Sequence, residues 1–327
     1  MHILITGATG FIGGHLVESL HARGHRLRCL VRSTSNLSWI KHLPIEYVYG
    51  DLFDHAVLRT AVTGVECVYH LAGTTKAKSK AEYFRGNHLA TENLLTAVLE
   101  ANPTLKRFIH VSTQAAVGPS TGNVAVDETT PFHPITSYGV SKMEAEKECL
   151  RVRDRLPITI VRPPAVYGPR DKDVFQFFNT MNKGLQPMIG FSTKRVSLIH
   201  VRDLVEGIIL AGEHPEGVGQ TYFISSERYY DWKEIGDLTA GVLGRKVMRL
   251  RIPEACVYAI AGVAEVFSLV TGKAVLLNIE KARDIVQDAW TCSIAKAQRE
   301  LGFRESLTLE QGVRETVAWC QAQGWMR

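Results

Sequence analysis

The sequence predicts an α/β fold, a doubly wound parallel sheet followed by a smaller, mainly helical C-terminal lobe. Three observations carry that expectation. A short apolar run, Ile3-Leu4-Ile5, passes directly into the turn Thr6-Gly7-Ala8-Thr9-Gly10-Phe11-Ile12-Gly13 and then into a helical stretch. As far as Arg162, short and nearly continuous apolar runs alternate with segments of helical spacing, which suits parallel strands covered on both faces. After Arg162 the alternation loosens, because Pro163-Pro164 and Gly168-Pro169 interrupt regular structure.

The first helix is expected over Phe11–Arg23, stopped by Gly24. Leu27–Val31 and Ile45–Tyr49 read as the second and third strands, and a helix runs from about His55 to Val62. Val65–Leu71 reads as the fourth strand, closed by Ala72-Gly73. One long helix over Glu82–Asn102 carries Leu89, Leu94, Ala97 and Val98 as its apolar residues. Phe108–Ser112 follows as a strand, then a helix over Tyr138–Arg155, then the strand Ile158–Arg162. Ser197–Val201 and Thr221–Ile224 read as later strands flanking a helix over Asp203–Gly212. From about Asp231 the chain reads as mainly helical.

Composition narrows the function classes. In 327 residues, 45% hydrophobic and 22% charged content is ordinary for a globular protein, and the net charge of +5 is spread along the chain. The basic cluster Lys76–Lys80 reads as a solvated loop, so no nucleic-acid partner is expected. The six cysteines are far apart with no CxxC pair, which suits reduced thiols in a cytoplasm and no zinc site. Structure is expected from the first residues, with no signal peptide ahead of it. The apolar stretch Ala255–Thr271 is short for a span and holds Glu265, so no integral membrane span is expected. It reads as a buried or pocket-lining helix, the alternative being a surface that meets a membrane or a greasy substrate.

The glycine turn has a chemistry of its own. Gly7 suits a tight turn off the strand, Gly10 a close backbone approach to a pyrophosphate, and Gly13 a helix lying against the sheet. The new helix then presents free N–H groups and a positive dipole end to an anion. Arg32 follows the second strand, and Val31–Ser35 contains no carboxylate. That favours NADP(H), whose 2′-phosphate an arginine suits, while NAD(H) stays open with Arg32 facing solvent or stacking on adenine. Asp51 and Leu52 stand where a side chain meets the adenine edge; an N-cap role for Asp51 is the alternative.

Tyr138 and Lys142 are four residues apart in Ser137-Tyr-Gly-Val-Ser-Lys142, so a helix places them on one face. A phenol has a pKa of about 10, and a neighbouring ammonium favours its ionised form. The pair therefore reads as a proton-transfer unit.

Together, TGATGFIGGH, Phe108-Ile-His-Val-Ser112-Thr113, Tyr138-Gly-Val-Ser-Lys142 and Tyr167-Gly-Pro-Arg170 resemble the extended short-chain dehydrogenase/reductase family, within the NAD-dependent epimerase/dehydratase superfamily. The resemblance covers essentially the whole chain. It implies a Rossmann dinucleotide-binding domain over residues 1–168, with later strands near 197–225 returning to it, and a substrate-binding lobe from 169–196 and 226–327. It implies Thr113 as the residue that holds the substrate oxygen, with Ser112 as fallback if the register is off by one. Tyr138 is implied as general acid or base, and Lys142 as the group that lowers its pKa and holds the nicotinamide ribose. Thr9, Phe11, Ile12, Leu71, Ala72, Gly73, Asn87, Ser112, Pro163 and Val166 would accompany the cofactor. Thr75, Gln114, Ala165, Arg170 and Arg195 would face the substrate. Pairing of the two long helices would make a homodimer.

Nucleotide-sugar members usually carry an asparagine where this chain has Ala165, and Arg195 sits one place early for their arginine. The C-terminal half looks more like the hydroxysteroid dehydrogenase and dihydroflavonol reductase branch. No Asp-Glu pair follows Thr113, which speaks against a dehydratase. The expected activity is hydride transfer between a nicotinamide cofactor and a secondary alcohol or ketone of a fairly apolar small molecule. A nucleotide-sugar epimerase with tightly bound NAD and a non-catalytic cofactor sensor or scaffold are the alternatives.

Overall fold

Ile3, Leu4 and Ile5 are fully buried because β1 (His2–Thr6) runs through the middle of a sheet that helices cover on both sides. The computed structural model describes residues 1–122, 124–271 and 278–326. After β1 come α1 (Phe11–Ala22), β2 (Arg26–Val31), β3 (Glu46–Tyr49), α2 (His55–Val62) and β4 (Cys67–His70). Then follow α3 (Lys80–Phe84), a π-helical turn (Arg85–Leu89), α4 (Ala90–Ala101), β5 (Arg107–Val111), α5 (Gln114–Val117), α6 (Ser137–Arg151) and β6 (Ile158–Arg162). The next elements are β7 (Ala165–Tyr167), α7 (Val174–Asn182), β8 (Leu185–Ile189), β9 (Arg195–His200), α8 (Val201–Glu213) and β10 (Thr221–Phe223). The chain finishes with β11 (Tyr229–Asp231), α9 (Trp232–Leu243), β12 (Met248–Ile252), α10 (Glu254–Thr271), α11 (Ile279–Ile285), β13 (Ala289–Trp290), α12 (Ala295–Leu301) and α13 (Leu309–Ala322).

Seven strands pair in the order β10-β6-β5-β4-β1-β2-β3, all parallel. Ile3 and Ile5 face one side with Leu16, Val17 and Leu20 of α1 and Ile208 of α8. Leu4 faces the other, with Leu58 of α2, Leu94 of α4 and Cys149 of α6. The order reverses direction beside β1, between β2 and β4. In such sheets a ligand crevice opens at the carboxyl ends of the strands at that reversal.

Two expectations need correction here. Only β10 returns to the large sheet; the strand read at Ser197–Val201 runs Arg195–His200 and joins a smaller one with β7, β11 and β13. Pro163-Pro164 cannot donate ladder hydrogen bonds, and beyond them β7 leaves β6 to take β9 as its partner. The single helix read over Glu82–Asn102 is broken by the π turn, where Gly86 lies against Thr74 so closely that an added Cβ would meet Thr74 Oγ1 at 2.0 Å. A π turn inside a helix often marks a functional site. The segment after Asp231 is mainly helical, as expected, and its short strand β12 pairs with β8 in a two-stranded sheet.

The Ala255–Thr271 stretch is helical as α10, yet it is not a buried helix. Val257 and Ala261 are covered, by Ile189, Ile252 and α11, whereas Ile260 is 54% and Val263 73% exposed. Among the described residues, Val257 and Ala261 form the buried stripe of the helix. The side chains at 266 and 268–271 lie outside the described residues.

Candidate active site

Gly7 leaves β1 at φ +76°, and a Cβ on it would sit 2.6 Å from Ala72 N. A Cβ on Gly13 would lie 2.1 Å from Gly7 O. Both positions are therefore closed to any other residue. Gly10 is the N-cap of α1 and no side chain caps the first turn, whereas Asp54, Thr136, Asp231 and Thr308 cap α2, α6, α9 and α13. The N–H groups of that turn are left for an anion.

A cleft of about 620 Å³ opens here, lined by Gly7, Thr9, Gly10, Arg32, Asp51, Leu52, Leu71, Ala72 and Gly73, all foreseen from the sequence. Ser35, Phe53 and Arg85 line it unforeseen; the Arg85 guanidinium stacks 3.8 Å above the Phe53 ring centroid. Phe11 and Ile12 pack their side chains against the core, and Gly13 lies against the turn. Asp51 does not cap α2. Its Oδ1 accepts from Phe53 N at 2.7 Å, and Asp54 takes the cap. The glycine cradle, the uncapped helix and the flanking arginines fit a dinucleotide.

Thr113 and Tyr138 meet beyond the cleft wall. Thr113 begins α5 as its N-cap, with Oγ1 accepting from Ala115 N at 3.2 Å, and its side chain stands beside the Tyr138 phenol. Burial pushes that phenol up to about 12, and the neighbouring Thr113 hydroxyl offsets the rise only in part. The sequence led us to expect Lys142 to lower the phenol's pKa. Instead Lys142 Nζ donates to Val111 O at 2.9 Å, at the end of β5. Burial brings this ammonium down to about 8, with the Glu146 carboxylate opposing the shift. The phenol is thus a protonated acid.

Ser112 cannot stand in for Thr113. Its hydroxyl is buried and donates to Glu146 Oε1. Glu146, fully buried, is gripped by Arg162 through Nε at 3.1 Å and Nη2 at 2.6 Å. The sequence reading missed this pair, although Glu146 follows Lys142 by the same four residues that separate Lys142 from Tyr138.

Asn87 sits in the π turn with its carboxamide buried. Oδ1 accepts from Thr74 N at 2.7 Å, while Nδ2 donates to Thr74 O at 3.0 Å and to Ser141 Oγ at 2.8 Å. Ser141 in turn donates to Tyr138 O at 2.7 Å. His70 extends the chain across the sheet, unforeseen by the sequence reading. Its Nε2 lies 2.9 Å from Thr91 Oγ1, whose own proton goes to Asn87 O at 2.7 Å, so Nε2 must be the donor. Burial takes His70 down to about 3, which leaves Nδ1 bare to accept from Thr6 Oγ1 at 2.7 Å. Thr6 Oγ1 then accepts from Ala72 N at 3.3 Å.

The remaining expected residues are scattered. Pro163 O accepts from Gln114 N at 2.8 Å, and the buried Gln114 Nε2 has no partner. Val166 is half-buried in the core, and Ala165 is exposed on β7. Thr75 is exposed beside Tyr83, whose ring lies 6.0 Å from that of Tyr138. Arg170 does not reach for substrate: Nη2 bonds Glu18 at 2.7 Å, and the guanidinium lies 4.7 Å from the Trp39 ring. Arg195 opens β9 opposite Asp231 and Ala289 and does not line the cleft. The loop of Lys76–Lys80 is largely exposed, with Lys76 paired to Asp173. From α11, Glu280 accepts from Ser137 N at 3.1 Å and from Ser137 Oγ at 2.6 Å, clasping the start of α6.

Fold and cleft together define a Rossmann-type dinucleotide enzyme. The model of the NAD dependent epimerase/dehydratase family matches residues 3–225, and the chain belongs to that family. It is an extended short-chain oxidoreductase. It is 31% identical to the ceramide reductase of Caulobacter vibrioides over 325 residues, 99% of this chain and 96% of that protein. It is 29% identical over 336 residues to a 3β-hydroxysteroid dehydrogenase/Δ5→4-isomerase of Mycobacterium tuberculosis, covering 97% of this chain and 90% of the other. The crystal structure of gox2253 superposes with a TM-score of 0.83 at 31% identity, covering 99% of both chains. Among the described residues no helix is long and apolar enough to cross a membrane.

Proposed function

We propose that the chain reduces a ketone, or oxidises the matching secondary alcohol, in a fairly apolar substrate, with NADP(H) as the preferred cofactor. The observation that carries this is the buried Tyr138 phenol, which burial keeps protonated, with Thr113 beside it. When bound, the nicotinamide supplies or takes the hydride. Tyr138 gives its proton to the alkoxide that develops on the substrate, and Thr113 holds the same oxygen. Lys142, at about 8, stays largely cationic at neutral pH and serves the ribose.

Arg32, Ser35 and Arg85 in the cleft wall support the 2′-phosphate. The commitment of Arg170 to Glu18, and Ala165 in place of an asparagine, leave a sugar diphosphate two anchors short. The names of the ceramide and steroid relatives point to an apolar substrate as well. Six free thiols suit a cytoplasmic enzyme. A homodimer through α4 and α6 accounts for exposed Leu89 and Leu150 beside and on those helices.

The test is NADPH consumption, followed at its absorbance band, with a panel of long-chain, steroidal and aromatic ketones beside UDP-sugars. Turnover with the apolar ketones supports the proposal. Tightly retained NAD with interconversion of UDP-sugars and no net NADPH use would replace it with epimerisation.

A further inference from the structure

We infer that the face built from α10 and the β8–β12 ribbon docks on an anionic phospholipid surface. In this parallel ribbon Leu185 pairs with Met248, Pro187 with Leu250, and Ile189 with Ile252, so all six share one side. The opposite side packs on α9, where Gln186 Nε2 donates to Trp232 O at 2.9 Å. α10 rests Val257 and Ala261 on the Ile189–Ile252 end only, which leaves the other end uncovered beside it. Met248 is 63% and Leu250 49% exposed there, next to Ile260 at 54% and Val263 at 73%. Over its whole length α10 carries no charge except Glu254 and Glu265. A continuous exposed apolar face of this kind marks an interaction site.

Charge selects the occupant. The turns that enter the ribbon carry Lys183, Arg245 and Lys246, while Arg249 and Arg251 alternate with the apolar rows and fall on the α9 side, where Arg249 pairs with Asp237. A second copy of this chain would set the same cations against one another across a two-fold axis. An anionic bilayer neutralises them while its acyl boundary takes Leu250 and Val263. The docked face also adjoins the site, because α11 packs on α10 and holds Ser137 through Glu280. This deepens the apolar-substrate reading, on which it rests for its purpose, since a lipophilic ketone then enters from the bilayer.

Flotation of the full-length protein with phosphatidylcholine vesicles, with and without phosphatidylglycerol, tests the inference and needs no substrate. The wild type should float with the anionic vesicles and sink at high salt. Leu250→Glu and Val263→Glu should each lower the bound fraction about tenfold, and Lys246→Ser about fivefold. Unchanged circular dichroism and NADPH affinity show that each variant is folded. Lys246→Ser lies outside the apolar rows and keeps the test alive if a glutamate variant misfolds. A wild type that stays at the bottom, or variants that float equally well, overturns the proposal. So does a wild-type dimer that Val263→Glu dissociates, which assigns the face to a second copy. Failure of the apolar ketones to turn over, with flotation intact, discards the substrate reading alone.

Discussion

The Asn87 carboxamide donates to the Ser141 hydroxyl across 2.8 Å and so fastens the cofactor side of the cleft to the catalytic helix. Asn87 also holds Thr74 by its N–H and its carbonyl, and Ser141 passes the connection to Tyr138 O. Truncating Asn87 therefore leaves Thr74 N, Thr74 O and Ser141 Oγ each short of a partner, while truncating Ser141 takes a single partner from Asn87. Asn87→Leu should cost about 2–4 kcal/mol of stability and weaken NADPH binding, measured by urea unfolding and fluorescence titration. Ser141→Ala should cost about 1 kcal/mol, leave NADPH affinity nearly unchanged and lower kcat. Equal NADPH affinity in Asn87→Leu and wild type would mean that Asn87 does not hold the Thr74 loop.

Tyr138→Phe removes one hydroxyl from a site whose shape is otherwise kept. Loss of a positioned general acid costs about 10²–10⁴ in rate, so kcat should fall by that order with NADPH affinity within a few fold. Thr113→Val keeps the volume and deletes the hydroxyl beside the phenol. It should lower kcat by a smaller factor, because Tyr138 is left as the sole donor to the substrate oxygen. Activity retained in Tyr138→Phe would remove Tyr138 from the chemistry.

Arg32 stands in the cleft wall with Ser35, whose Oγ accepts from Arg32 N at 3.1 Å. That bond shapes the turn after β2 and leaves the guanidinium for an anion. Arg32→Glu should reverse the preference between NADPH and NADH, measured as the ratio of the two kcat/KM values. Most of the change should fall on NADPH, since the glutamate repels a 2′-phosphate and accepts from ribose hydroxyls. An unaltered ratio would free Arg32 from that role.

The sheet was legible because each strand is a short apolar run between turn residues, and six of its seven strands precede Pro163. β9 and β10 were not separable by that criterion, since Arg195–His200 and Thr221–Phe223 are both apolar and only tertiary pairing tells them apart. The lining of the cleft was legible from the glycine turn and the strand ends. The state of Tyr138 was not. Spacing places Lys142 on the same helix face but says nothing of Val111 O, which draws the ammonium away, or of the burial that raises the phenol. Arg170 followed the motif in sequence yet turned to Glu18, a partner 152 positions distant. α10 misled by composition, because apolar side chains imply a covering surface without saying whether the chain itself provides it.

The buried histidines set how the protein responds to acid. Burial lowers His70 to about 3 and His200 to about 4, and takes His110 well down with help from the Lys142 charge. Unfolded histidine titrates near 6.5. Between that value and the folded ones the unfolded chain binds more protons, so stability falls as pH falls. It should be level between about 6.5 and 8 and decline by about 1.4 kcal/mol per pH unit for each histidine below about 6. The paired carboxylates, among them Glu46, Asp127 and Asp288, have lowered folded pKa values, and their loss begins only near pH 4. His70→Gln keeps a donor and an acceptor for Thr91 and Thr6 without the titration. It should lower stability at pH 7 by about 1–2 kcal/mol and flatten the slope between pH 6 and 4 by about one proton. Urea midpoints at a series of pH values give the slope. An unchanged slope in His70→Gln would show that His70 gains its proton without unfolding, and the hydrogen-bond chain from Ala72 to Tyr138 would then be open to solvent.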